Sequence, residues 1–302
     1  MTAAARAWVV IGAGYTGARV AAMLDGSVHG AVIVTRRDAS AARSLAAQVG
    51  DHARGVGLDL ATADRAAIAA IIPAGAIVAM LAPPARPDGA AEAEIAAAVV
   101  AAGAHRLVYV SSTGVYAPGG GAVVDEGFAI APATTTGRAR LAAERAIRAA
   151  IAAPRRVLLR AAGIYGPGRG VLARLRAGTY RVIGDGRAMV SRIHVDDLAA
   201  AVIAAGTVAE ETIGTGDDAG IYNAADDEPC ASADYADAAA DAIGVPRPPR
   251  VPAAEVSGEV TGMLLADRRI TSARMQRELG WRPRYPSWRA AIAAEPAADP
   301  RS

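Results

Sequence analysis

Between Val9 and Ala21 the chain reads VVIGAGYTGARVA, which places Gly12, Gly14 and Gly17 in G-x-G-x-x-G spacing. The β-branched run before Gly12 predicts a strand and the stretch after Gly17 a helix, and a glycine loop in that setting cradles a dinucleotide pyrophosphate. The first glycine permits the tight turn, the second lets the backbone approach the phosphates, and the third lets the helix pack closely on the strand. Tyr15 and Thr16 fall at the helix N-terminus, whose N–H groups and dipole favour anions. At the end of the next expected strand, where an acidic residue holds the adenosine ribose in NAD sites, the chain carries Thr35, Arg36 and Arg37. Guanidinium groups match a 2′-phosphate in charge and geometry, so NADP is expected ahead of NAD. Asp59 follows the third strand. It is placed either for the adenine amino group or as the cap of the next helix. Leu60, Ala82, Pro83, Ser111 and Ile164, at later strand ends, complete the expected cofactor contacts.

Such a site needs a sheet behind it. Short β-branched runs at Trp8 to Ile11, Ala31 to Thr35, Gly55 to Leu58, Ile77 to Leu81, Leu107 to Val110 and Val157 to Arg160 alternate with alanine-rich segments of helical spacing. Those segments are about Gly17 to Leu24, Ser40 to Gln48, Thr62 to Ile71, Ala90 to Ala102 and Gly137 to Ala152. The pattern predicts an α/β fold, a doubly wound parallel sheet of Rossmann type. Residues 1–165 are read as the NAD(P)-binding domain and 166–302 as a smaller substrate-facing lobe. A helix at Val195 to Ala205 and a strand at Ile221 to Ala224 place about 192–224 back with the first domain.

Composition excludes other classes. The 302 residues carry a formal charge of +2, and all 32 basic residues are arginine, spread among 30 acidic ones. No electrostatic footprint for nucleic acid or an anionic membrane results. The apolar run from Ile68 to Pro84 is shorter than the roughly 20 residues a spanning helix needs, and Pro73 and Gly75 interrupt it. Gly12, Gly14 and Gly17 likewise break the apolar N-terminus as an export signal. The single cysteine, Cys230, forms no intramolecular disulfide, and a cytoplasmic location is expected. His29, His52, His105 and His194 lack metal-ligand spacing, so no metal is expected.

Several further segments, in order, resemble the extended short-chain dehydrogenase/reductase family, also called the NAD-dependent epimerase/dehydratase family. They are LVYVSSTGVY (Leu107 to Tyr116), VDE (Val124 to Glu126), LAAERAI (Leu141 to Ile147), LRAAGIYGPG (Leu159 to Gly168) and RIHVDDLAAA (Arg192 to Ala201). RRITSARMQRELGWRPRYPSW, from Arg268 to Trp288, is similar to the tail of an atypical subgroup. The resemblance implies that Ser112 polarises a substrate oxygen, the alternative being a serine that satisfies backbone groups at the strand end. It also implies a Tyr-x-x-x-Lys pair on the next helix, but that register holds Thr136 and Arg140. An aliphatic hydroxyl lacks a phenol's pKa of about 10 and is a poor proton carrier near neutrality. Arg140 keeps positive charge near the nicotinamide ribose but does not exchange a proton.

Tyr165 and Tyr116 are the candidate substitutes for the missing acid, with a packing role as the alternative for each. His194, Asp196 and Asp197 read first as residues of a helix entry. Nucleotide-sugar members carry an arginine where Val190 stands, so a sugar nucleotide is not expected. Together these features predict an NADP-preferring oxidoreductase or epimerase/dehydratase-like enzyme acting on a small hydroxy or keto substrate, with an atypical site. The alternative is a non-catalytic NADP(H) sensor or scaffold. Relatives dimerise through helices equivalent to about Ala90 to Ala102 and Gly137 to Ala152, and a homodimer is expected.

Overall fold

The computed structural model describes residues 5–294. Seven strands form one parallel sheet: β1 (Trp8–Ile11), β2 (Val32–Arg36), β3 (Ala53–Gly57), β4 (Ile77–Met80), β5 (Arg106–Ser112), β6 (Arg156–Ala161) and β7 (Ile221–Ala224), in the order β7-β6-β5-β4-β1-β2-β3. Parallel neighbours require crossovers, and the helices that make them cover both faces. Strand order reverses between β1 and β4. That reversal opens a crevice at the carboxyl ends of these two strands, the place where open α/β sheets bind ligands.

Side-chain alternation along each strand divides the core. Val10, Val34, Val108 and Leu159 face α1 (Tyr15–Met23), α2 (Ala39–Val49) and a later helix, Val195–Thr207. Val9, Ile11, Val78 and Leu107 face α3 (Arg65–Ala69), α4 (Ala90–Ala101) and α5 (Thr135–Ala150). Full burial of each such aliphatic side chain contributes about 1.5–3 kcal/mol. The helix Val195–Thr207 is α6. Its C-terminal carbonyls are gathered by a buried arginine: Arg106 Nη1 donates to Ala205, Gly206 and Val208 oxygens at 3.1, 3.1 and 2.7 Å. A cation there also complements the helix dipole.

Beyond Tyr165 a second apolar cluster forms around Tyr165, Leu172, Val182, Tyr235 and Trp288, carried largely by the helices Val171–Arg176, Ser232–Ala242 and Trp288–Ala294. Leading into that cluster, Gly163–Tyr165 pairs in parallel with Arg192–His194. From there α6 packs on α1, and β7 adds to the sheet beside β6. Among the described residues no helix is long and apolar enough to cross a membrane.

Candidate active site

The glycine loop is pinned to the end of β2. Gly12 N–H donates to Thr35 Oγ1 at 3.2 Å, and Ala13 N–H to the Thr35 carbonyl at 2.8 Å. Each glycine meets a different surrounding. Gly12 has φ +81°, and a Cβ there would lie 2.7 Å from the backbone nitrogen and the Cβ of Ala82, so Ala82 is the wall against which the loop turns. A Cβ on Gly17 would lie 2.8 Å from the Gly12 carbonyl oxygen. A Cβ on Gly14 would meet nothing within 4 Å. Gly14 is also the N-cap of α1, with no side chain capping the helix and no acidic residue in its first turn. An open cradle beside an uncapped helix start fits a dinucleotide diphosphate. Thr16 is buried inside α1, while the Tyr15 hydroxyl donates to the Pro167 carbonyl at 3.0 Å and ties the loop to the Tyr165–Pro167 segment.

At the carboxyl end of β2, Arg36 Nε donates to the Ala13 carbonyl at 2.7 Å, which holds its guanidinium beside the loop. Arg37 is exposed and makes a long ion pair with Asp59 at 3.8 Å. Exposed pairs contribute little, so its charge stays free to meet an anion. Asp59 does not cap the next helix: it accepts from Ala61 N–H in a tight turn, while Asp64 caps α3 through Ala67 N–H. Leu60 packs against the sheet face covered by α3 to α5, Pro83 is exposed beside Ala82, and Ile164 pairs with Ile193.

Strand parity separates the two serines of β5. The strand-end position of Ser111 predicts a cofactor contact, but its hydroxyl points into the core and donates to Glu144 Oε1 at 2.5 Å. Glu144 is itself paired with Arg160 at 2.8 Å, both fully buried. Ser112 faces the other way. Its Oγ accepts from Gly114 N–H at 3.0 Å in the short turn Thr113–Val115, which rests on the start of α5. A point 3.3 Å from Ser112 Oγ, where a Gly114 Cβ would stand, lies 3.7 Å from Gly137 Cα. Ser112 and the Thr136–Gly137 turn are therefore neighbours. One turn on, Arg140 Nη1 donates to the Ala82 carbonyl (3.3 Å), the Val110 carbonyl (2.9 Å) and the Tyr109 hydroxyl (3.0 Å). Ala82 thus touches both the glycine loop and Arg140, so the cofactor cradle and the residues around Ser112 form one continuous surface.

Neither substitute tyrosine reaches that surface. Tyr116 is buried: its hydroxyl donates to Asn223 Oδ1 at 2.7 Å and accepts from Arg160, and burial pushes its pKa up to about 12. Tyr165 lies in the apolar cluster with Leu172, Tyr235 and Trp288, its hydroxyl enclosed and without a hydrogen-bond partner among the described residues, and burial raises its pKa. Both expectations of a replacement acid are corrected by the same cause, since the phenols lie inside packed clusters. His194 is the N-cap of α6, its Nδ1 accepting from Asp196 N–H at 3.3 Å, and burial lowers its pKa. Asp196 and Asp197 do not cap. Asp196 pairs with Arg19 at 3.1 Å, and Asp197 accepts from the backbone of Arg284 and Tyr285 at 2.7 and 3.0 Å. Arg192 is buried, stacked 3.5 Å from the Tyr235 ring centre.

One residue at this site carries no motif. Glu259, in the first turn of α7 (Gly258–Leu264), accepts from the backbone N–H groups of Thr135 and Thr136, both at 2.8 Å, and from Thr136 Oγ1 at 2.5 Å. These donors, the Thr136 hydroxyl first, hold its carboxyl below the usual carboxylate range. Its partner lies 123 residues away in sequence, so no local pattern could have disclosed it.

A glycine loop at the switch point of a parallel sheet and a serine facing a helix start are the arrangement of a Rossmann-type dinucleotide-binding fold. The sequence profile of the NAD dependent epimerase/dehydratase family matches residues 8–225, and the chain belongs to that family. It is 32% identical over 219 residues to a 3-diazoavenalumate denitrifying reductase of a Streptomyces species, covering 67% of this chain and 69% of that one. Among solved structures, a functionally unknown conserved protein from Silicibacter pomeroyi DSS superposes with a TM-score of 0.75 at 27% identity, over 96% of this chain and 97% of the other. The human epimerase family protein SDR39U1, solved with NADPH, superposes with a TM-score of 0.74 at 20% identity, over 95% and 97%.

Proposed function

We propose that this protein is an NADP-preferring reductase that delivers hydride to a small acceptor held against Ser112, and that the acceptor needs no proton in the same step. Arg36, fixed beside the loop, and the exposed Arg37 support the preference for a 2′-phosphate. When bound, the nicotinamide supplies a hydride from its C4. Ser112 orients and polarises the acceptor, and Arg140 bridges the ends of β4 and β5 while placing positive charge next to the cradle. The observation that carries the reading is the fate of the Thr136 hydroxyl: it stands in the register of the family's tyrosine and donates its hydrogen bond to Glu259. Tyr116 and Tyr165, packed inside their clusters, do not serve in its place.

Reduction of a ketone consumes a hydride and a proton. Reduction of an aryl diazonium consumes a hydride alone: Ar–N2+ and H− give Ar–H and N2, with charge and atoms balanced. A relative named as a denitrifying reductase of a diazo compound supports an acceptor of this kind over hydroxy or keto compounds.

NADPH consumption tests the reading. Benzenediazonium should be reduced faster, over the rate without protein, than any member of a panel of small ketones and aldehydes. Loss of the polarising hydroxyl in Ser112→Ala should slow it at least tenfold, below the roughly 10²–10³ of the strongest single donors. Thr136→Ala should change the rate less than about threefold, because no proton-transfer contribution is lost. Ketone turnover that collapses in Thr136→Ala would overturn the reading, and cofactor binding without turnover of any acceptor would favour the sensor.

A further inference from the structure

We propose that Arg169 is a further cofactor-binding residue, a cation that a rigid turn holds beside the glycine loop to meet the diphosphate of the bound dinucleotide. The inference goes beyond the reading of the site as a reductase, because the diphosphate is common to NAD and NADP. Its basis is the juxtaposition of the first turn of α1, which carries Tyr15, and the tight turn from Gly166 to Arg169.

The turn is fixed at both ends. Gly166 N–H donates to the Arg169 carbonyl at 3.1 Å, and Arg169 N–H to the Gly166 carbonyl at 2.9 Å. Between them stand Pro167, which presets the first central position, and Gly168, whose φ of +74° suits the second. A Cβ on Gly166 would lie 3.0 Å from the Tyr15 hydroxyl and 3.1 Å from His194 Nε2, so a glycine lets the turn lie against the starts of α1 and α6. The Tyr15 hydroxyl completes the joint by donating to the Pro167 carbonyl at 3.0 Å. The guanidinium carbon of Arg169 then lies 5.3 Å from the centre of the Tyr15 ring. Arg169 is exposed, and among the described residues its side chain forms no ion pair and no hydrogen bond. The other cations around the loop are engaged. Arg19, 4.2 Å from the same ring, pairs with Asp196 at 3.1 Å and donates to the Tyr15 carbonyl. Arg36 is held by the Ala13 carbonyl at the end of β2, and Arg140 by acceptors at the ends of β4 and β5. Each phosphate of a dinucleotide carries a negative charge, and the start of α1 offers about half a positive one. Tyr15 directly follows the open cradle at Gly14, so a guanidinium stacked on its ring needs only a change of rotamer to meet an anion seated there. Its planar fork matches two phosphate oxygens, a stronger interaction than stacking on an exposed ring.

Calorimetric titration of cofactor measures this without turnover. Arg169→Ala should weaken NADPH and NADH alike, each by about tenfold, the loss of one charge-assisted contact, so that the ratio of the two affinities stays as in the wild type. Arg36→Ala, by contrast, should weaken NADPH alone. Arg169→Lys keeps the charge without the fork and should recover part of the loss. Adenosine 2′-monophosphate has the 2′-phosphate but no diphosphate, and it should bind Arg169→Ala as it binds the wild type. The melting temperature of the free variant should stay within about two degrees of the wild type, since only an exposed stacking contact is lost. Unchanged affinities for both cofactors in Arg169→Ala would overturn the assignment. So would a loss confined to NADPH, which would put Arg169 at the ribose, or an equal loss for adenosine 2′-monophosphate, which would make it a support of the loop. The NADP preference fails separately: equal wild-type affinities for NADPH and NADH refute it, while an equal loss of both in Arg169→Ala still supports Arg169. A wild type that binds neither cofactor would overturn both.

Discussion

Gly12 and Gly14 are two residues apart, yet a methyl group meets opposite surroundings at each. At Gly12 it would press on Ala82 at a positive φ, so Gly12→Ala is expected to lower the melting temperature by several degrees, the effect of about 1–2 kcal/mol in a chain of this size. At Gly14 there is space, and Gly14→Val is expected to leave the melting temperature of the free protein nearly unchanged. It should abolish the stabilisation of roughly 2.7 kcal/mol that NADPH at a hundred times its Kd gives the wild type. Thermal melts with and without cofactor read both outcomes. The two arginines divide in the same way. Arg36 is held by the Ala13 carbonyl and Arg37 is splayed into solvent, so Arg36→Ala should reduce the preference for NADP over NAD by about tenfold or more, and Arg37→Ala by less. Equal losses, measured by titration, would mean that the fixed geometry of Arg36 confers nothing.

At the scale of elements, β5 and α5 are joined through the core by a network that no motif describes as such. Ser111, Glu144, Arg160, Tyr116 and Asn223 form an unbroken chain of hydrogen bonds linking α5, β5, β6 and β7. Removing one member of a buried ion pair leaves the other uncompensated, so Glu144→Leu should cost about 3–5 kcal/mol in denaturant unfolding. Adding Arg160→Met should recover a good part of that loss, as expected of coupled neighbours. No recovery would mean that the pair is not the cause. The sheet itself was legible because β-branched runs and alanine-rich helices differ in period, and β1, β4 and β7 fall within a residue of the expected runs. The orientation of Ser111 was also legible in principle, since alternation along a strand sets adjacent serines on opposite faces. α7 was not legible. It is seven residues long with no buried residue, and only the folded chain brings Glu259 to Thr136. A packing role for Tyr165 was open in the sequence, but not the helices some 70 to 120 residues further on that close over it.

The whole molecule places Asp226, like Glu92, at a cost. Asp226, 2% exposed just after β7, lies in an apolar enclosure, and burial pushes its pKa up to about 8 against the opposing pull of Arg192 and of the Glu228 backbone. A carboxyl whose folded pKa lies above its unfolded one favours folding while protonated. That stability is fully present below pH about 4 and is lost as pH rises towards about 8, at up to roughly 1.4 kcal/mol for each pH unit crossed. Asp226→Asn should flatten the pH dependence of stability across this window and raise stability at pH 9, and an unchanged profile would contradict the burial argument.

The central claim is that hydride is delivered at Ser112 without a proton donor, and kinetic isotope effects test it most directly. NADPH deuterated at C4 should slow reduction of benzenediazonium by a primary effect of about twofold or more when chemistry limits the rate, while D2O should leave kcat/KM unchanged after correction for the reaction without protein, because no general acid contributes to the barrier. A solvent effect of twofold or greater that disappears in Thr136→Ala would show a proton moving through that hydroxyl and would contradict the account.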